Sequence, residues 1–174
     1  TGTQLDYEII HGNHSLLPNA TLARAMHRHL SAIGGPRYNT EEQAFAMEIA
    51  KTLPPDSWSP GSEGVIAPYS EITTKGSTDV GDVSWNVPTV GARVTTFVPG
   101  TGLHSWQAIA AGGTSIGHQG VLIAAKTLAL TAVELMQSPE LVEAAQAEFE
   151  ERRGADFNYA PLLGDRDPPL DYRR

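Results

Sequence analysis

Hydrophobic positions fall into separate blocks, and their spacing changes from block to block. Residues 5–10 carry Tyr7, Ile9 and Ile10 in a short run that suits a strand. A His11-Gly12-Asn13-His14 turn follows. Pro18-Asn19 then announces a helix with Asn19 as its N-cap, because Leu22, Ala23, Met26, Leu30 and Ile33 recur at helical spacing. Gly34-Gly35-Pro36 stops it. A second helix starts at Thr40, with Thr40 capping and Gln43 reciprocating, and ends at Pro54-Pro55. Residues 56–69 are rich in Pro, Ser and Gly and read as a long loop, and residues 76–86 as a second irregular region.

Residues 90–98 form a short apolar run that reads as another strand. The longest helix begins near Gly117 or His118, and Val121, Leu122, Ala125, Leu128, Ala129, Ala132, Val133 and Met136 mark its expected buried side. Ser138-Pro139 opens a last helix that runs to about Arg152, with Leu141, Val142, Ala145 and Phe149 inward. Strands separated by helices predict an α/β fold.

Composition narrows the function classes. The 174 residues are 40% hydrophobic and 18% charged, with Lys only at 51, 75 and 126. One reading of the sparse charge is a surface that meets another polypeptide. The net charge of -8 argues against nucleic-acid binding, which needs clustered Lys and Arg. There is no cysteine, so a thiolate nucleophile and Cys-type zinc sites are excluded, and a reducing, cytoplasmic setting is expected. No apolar run is expected to span a membrane. The start at Thr1 is read as the end of a processed or truncated product.

Six histidines raise the question of a metal. His27 and His29 are two apart on a helix and point to different faces, which favours structural or solvated roles. His104 follows glycine-rich turns, where a side chain can be held beside a cleft, and neutral imidazole is a good ligand for zinc, cobalt or manganese. An ordinary hydrogen-bonded histidine is the competing reading. In residues 76–82, small residues accompany Asp79 and Asp82, which can orient a ligand or cap turns. Residues 115–120, with His118, open the long helix, whose amides can bind an anion or be capped locally. No G-x-S-x-G elbow supports Ser77 or Ser105 as a nucleophile. Thr1 could act through its own amine only after specific processing.

Five segments together resemble the C-terminal part of the M20 metallopeptidase and amidohydrolase family. They are Leu16-Leu17-Pro18-Asn19; Gly34-Gly35-Pro36 with residues 40–46; residues 76–85; Leu103-His104-Ser105-Trp106; and residues 115–120. Thr78, where many relatives carry Glu, favours the family's aminobenzoyl-glutamate branch.

The resemblance implies an α/β catalytic domain over residues 18–174, with residues 1–17 as the last strand of an inserted α+β lid and dimerisation domain. It implies hydrolysis of an amide in an N-acyl or N-aroyl amino acid by metal-activated water, with two divalent ions, zinc or manganese. His104 would be a metal ligand, and Asn19 and His118 would shape the substrate end. The Glu general base and the other ligands would lie upstream. The implied partners are the N-terminal portion of the same enzyme, a second copy docked through the lid as a homodimer, and a small amide substrate. A non-catalytic binding or regulatory protein that keeps the cleft is the alternative.

Overall fold

The computed structural model describes residues 2–72, 75–164, 167, 168, 170, 171 and 173. Thr1, a candidate nucleophile by sequence, lies outside the described residues. In chain order the helices are α1 (Ala20–Ile33), α2 (Thr40–Ala50), α3 (Val80–Ser84), α4 (Trp106–Gly112), α5 (Ser115–Gln137) and α6 (Pro139–Arg153), with one 3-10 turn at Ser62–Gly64.

Among the described residues there is no strand and no sheet, which overturns the expected α/β class. β-forming side chains show only that a segment suits a pleated surface; a ladder also needs a second backbone beside it. Among the described residues no ladder forms on residues 5–10, and Leu5, Tyr7 and Ile9 stand exposed. Residues 90–98 are extended and run against α5, and only their last side chain, Val98, is fully buried.

Local chemistry explains the helix boundaries. Asn19 caps α1 as expected: its side chain accepts the Leu22 amide at 3.0 Å. The capping box of α2 sits one residue earlier than expected. Asn39 accepts the amides of Glu41 and Glu42, and the Glu42 carboxylate accepts the Asn39 amide at 2.7 Å. Pro139 occupies the first position of α6, and Gly154 ends it with a positive φ of 81°.

Helix α1 packs on α5 and α6, and α4 packs on α5. On α1, Leu22, Ala25 and Met26 are buried; on α6, Ala145 and Phe149 are. A second apolar cluster joins Tyr38, Ala46, Ile49, Val98 and Ile116, with Phe45, Leu53 and Trp58 against it. Fully burying a side chain such as Ile116 contributes about 2 kcal/mol.

The face of α5 expected inside is outside. Val121, Leu122, Leu128, Val133 and Met136 are exposed, while Ile116, Gly117, Gly120, Ile123, Thr127 and Thr131 are buried. Gly120 explains part of this choice, because a Cβ there would collide with the Thr95 carbonyl and the Thr96 methyl. Thr127 and Thr131 tolerate burial because each hydroxyl donates to the carbonyl four residues earlier, at 2.8 Å.

Contrary to the sequence expectation, α5 is long and apolar enough to cross a membrane by length and composition, with a mean hydropathy of 1.4 over its best window. One side of it is nevertheless committed to protein. Glu134 near its end pairs with Arg28 and His29 of α1, both at 2.7 Å.

Candidate functional site

His104 sits in the turn between Gly102 and α4, and the turn is fixed by Ser105. The Ser105 hydroxyl donates to the Gly102 carbonyl at 2.7 Å and accepts the Ala108 amide at 3.3 Å. Ser105 is therefore an N-cap, and its hydroxyl is engaged with backbone. The imidazole of His104 is exposed and has no hydrogen bond or ion pair among the described residues. It is available for coordination.

His118 lies one turn into α5 and is also exposed. The helix start before it is already answered by the chain's own acid. The Glu42 carboxylate takes two bonds from the Gln119 side chain at 2.9 Å and one from the Ser115 hydroxyl. Burial pushes the Glu42 carboxyl up, but the hydrogen bonds from Ser115, Asn39 and Gln119 outweigh it and hold it below the usual 4.5. A depression of about 190 Å³ lined by Glu41, Glu42, Thr114 and Ser115 opens here, and its acids repel an anionic ligand.

Asn19 is buried, and both ends of its amide are used. Besides capping α1, it donates to the Ala145 carbonyl of α6 at 2.8 Å. Beside it, Glu148 accepts the Ala20 and Thr21 amides at 2.7 and 2.8 Å and the Thr21 hydroxyl at 2.6 Å. Burial raises the Glu148 carboxyl, while Thr21, Ala20 and the nearby Arg152 lower it by more. The negative charge sits at the positive end of α1.

The acidic motif of residues 76–82 is a clasp. Asp82 accepts the His14 amide at 3.3 Å and the Tyr159 hydroxyl at 3.1 Å. The His14 ring is surrounded by Trp85, Phe157 and Tyr159 and hydrogen-bonds the Ala160 carbonyl at 3.1 Å. Ser84 accepts the Leu17 amide at 2.8 Å, and the Trp85 indole donates to the Ser15 carbonyl at 2.7 Å. Gly81 allows this crossing, since a Cβ would strike the His14 carbonyl. Asp79 is exposed and caps nothing with its side chain. Ser77 accepts from the Asn13 side-chain amide at 3.3 Å.

His29 pairs with Glu134, and His27 hydrogen-bonds Ser31 at 3.4 Å, which agrees with structural roles. Among the described residues, no three His, Asp or Glu side chains converge as a metal site. The described residues thus offer a divalent ion single donors rather than a converged set, and the exposed imidazoles of His104 and His118 are two of them.

Sequence reasoning missed Glu42, Glu63 and Glu148. Asn39 with Glu42 three residues later is a capping-box signal that the reading placed one residue late. Buried Glu63 accepts the Trp58 indole and the Gly61 amide, both at 3.0 Å, contacts that no local pattern announces. The Tyr38 hydroxyl lies buried without a hydrogen-bond partner among the described residues, and burial and the nearby Glu63 and Glu42 charges push its pKa well up.

The chain is 38% identical to a p-aminobenzoyl-glutamate hydrolase subunit of Escherichia coli (strain K12) over 173 residues, covering 85% of this chain. It is a relative of that hydrolase. The match covers 36% of the relative's own length, so the chain spans little more than a third of it. No family model matches the chain. No solved structure matches it either. The relative agrees with the branch to which Thr78 and the accompanying motifs pointed.

Proposed function

We propose that this chain forms part of a metal-dependent amidohydrolase that cleaves the amide bond of an N-acyl or N-aroyl amino acid of the aminobenzoyl-glutamate type. The observation that carries the reading is the 38% identity across 85% of the chain to a protein named for that reaction. The exposed, uncommitted imidazole of His104 on a rigid turn is consistent with it.

In this reading His104 holds one of two divalent ions, zinc or manganese, from the side of α4. Bound there, the ion would lower the pKa of a water and polarise the scissile carbonyl. Ser105 sets the direction of the His104 backbone by pinning the turn at both ends. His118, exposed on α5, meets the substrate from the open side of the cleft rather than through the helix amides, where Glu42 already sits. Asn19 contributes by locking α1 to α6. The general base, a Glu, and the remaining ligands come from the other part of the enzyme.

The test is release of the amine from p-aminobenzoyl-glutamate. The 174-residue chain alone, loaded with zinc or manganese, is expected to show no turnover, and the enzyme assembled with its remaining polypeptide is expected to hydrolyse the amide. Turnover by the pure chain, or none by the assembled and metal-loaded enzyme, contradicts the reading.

A further inference from the structure

Helix α5 has two apolar faces, and the chain covers one of them. Val121, Leu122, Leu128 and Met136 form a stripe on the other, exposed at 59, 59, 54 and 84%. Beside it, Ala92, Val94 and Thr96 of the extended segment complete an open groove of about 430 Å³. A contiguous apolar stripe left uncovered on a helix marks a surface that packs against another body.

We propose that this face seats the remaining polypeptide of the hydrolase, the portion corresponding to the part of the Escherichia coli relative outside the match. The identity of the occupant rests on the hydrolase reading; the existence of the surface does not. Three observations choose this occupant. First, 36% of the relative is matched, which leaves 64% of its length to be packed somewhere. Second, the chain exposes 12436 Å² at a mass of 18.6 kDa, whereas a self-contained protein of that mass exposes roughly 8200 Å². The excess is spread over the chain, the irregular residues 2–16 and 56–72 included, and it is several times the roughly 800 Å² that one partner buries in an ordinary interface, as a piece of a larger body would show. Third, the stripe carries no charge, which suits a packed core more than a solvated, transient contact. A membrane is disfavoured because the far side of α5 is bound to α1 through Glu134, Arg28 and His29, an ion-pair group that a bilayer would desolvate.

The experiment co-expresses the tagged 174-residue chain with the unmatched portion of the relative and reads co-purification and mass. A 1:1 complex is expected. Val121→Asp with Leu128→Asp should weaken it by about 100-fold or more, since two carboxylates would be buried in an apolar contact. Both positions are exposed in the lone chain, so its helical circular dichroism should not change. The chain has no native cysteine, so Ala129→Cys, on the exposed side of α5, gives a single maleimide site. Its labelling should slow by about tenfold in the complex. No complex, or a complex indifferent to the double substitution, overturns the proposal. A homodimer built through this face, or insertion of the chain into phosphatidylcholine vesicles, overturns it as well. A complex that forms but does not hydrolyse the amide leaves the docking surface standing and sinks the hydrolase reading instead.

Discussion

The turns that lead into α4 and α5 both combine glycine with a hydroxyl residue and both leave a histidine exposed, yet their other polar groups are used differently. Before α5, Ser115 and Gln119 hydrogen-bond Glu42 of α2, so the helix start is neutralised from within the chain. Before α4, Ser105 fixes the turn by itself and His104 is left exposed and uncommitted. The first turn is a joint between helices. The second holds a donor in place without using it. The lesson is that a motif's chemistry is read from what its polar atoms already do, because a hydrogen-bonding group spent on the fold is not free for substrate.

The comparison can be broken in order of effect. If the proposed hydrolase reading holds, His104→Ala should lower kcat/KM of the assembly by about 1000-fold while changing the melting temperature little, because the imidazole is exposed and makes no bond among the described residues. A loss below tenfold would place His104 outside the chemistry. Gly120→Ala should destabilise the chain by about 3 kcal/mol, read by urea unfolding, since its Cβ would press on the backbone of Thr95. Unchanged stability would mean that the extended segment can move off α5 at no cost.

Smaller effects sharpen the contrast. Glu42→Gln should cost about 2 kcal/mol at neutral pH by weakening the capping box and the bonds from Gln119 and Ser115. The sign with pH follows from the lowered carboxyl. With its folded pKa below 4.5, Glu42 contributes stability above about 4.5 and loses it as pH falls through the folded value. The gap between wild type and Glu42→Gln should therefore narrow in acid, and a gap independent of pH would contradict the ionised joint. The smallest change is expected from His118→Gln, which should leave stability unaltered and, if the proposed hydrolase reading holds, raise KM of the assembly by about threefold. An unchanged KM would remove His118 from the substrate end.

The helices were legible because capping chemistry and apolar spacing are local. Asn19, Pro139 and Gly154 mark their boundaries in the residues themselves. The strands were not, because residues 5–10 and 90–98 display the pattern of a sheet while no described segment pairs with them. The inner face of α5 was misread for a related reason: apolar spacing identifies a stripe that wants cover, and the chain covers the other one, where Gly120 allows the close approach of Thr95. Asp82 offered two readings in the sequence, a ligand orienter or a turn cap, because a ligand and a tie between segments use the same atoms, whereas Asn19 was legible as a cap but not as a tie to α6. The contacts to His14, Tyr159 and Ala145 are long-range and no local pattern announces them.

The most direct measurement of the proposed metal site is metal stoichiometry by plasma mass spectrometry on the proposed hydrolase assembly, comparing wild type, His104→Ala and His118→Gln. Loss of bound zinc or manganese in His104→Ala alone is the predicted result. Full metal retention by His104→Ala would contradict the account.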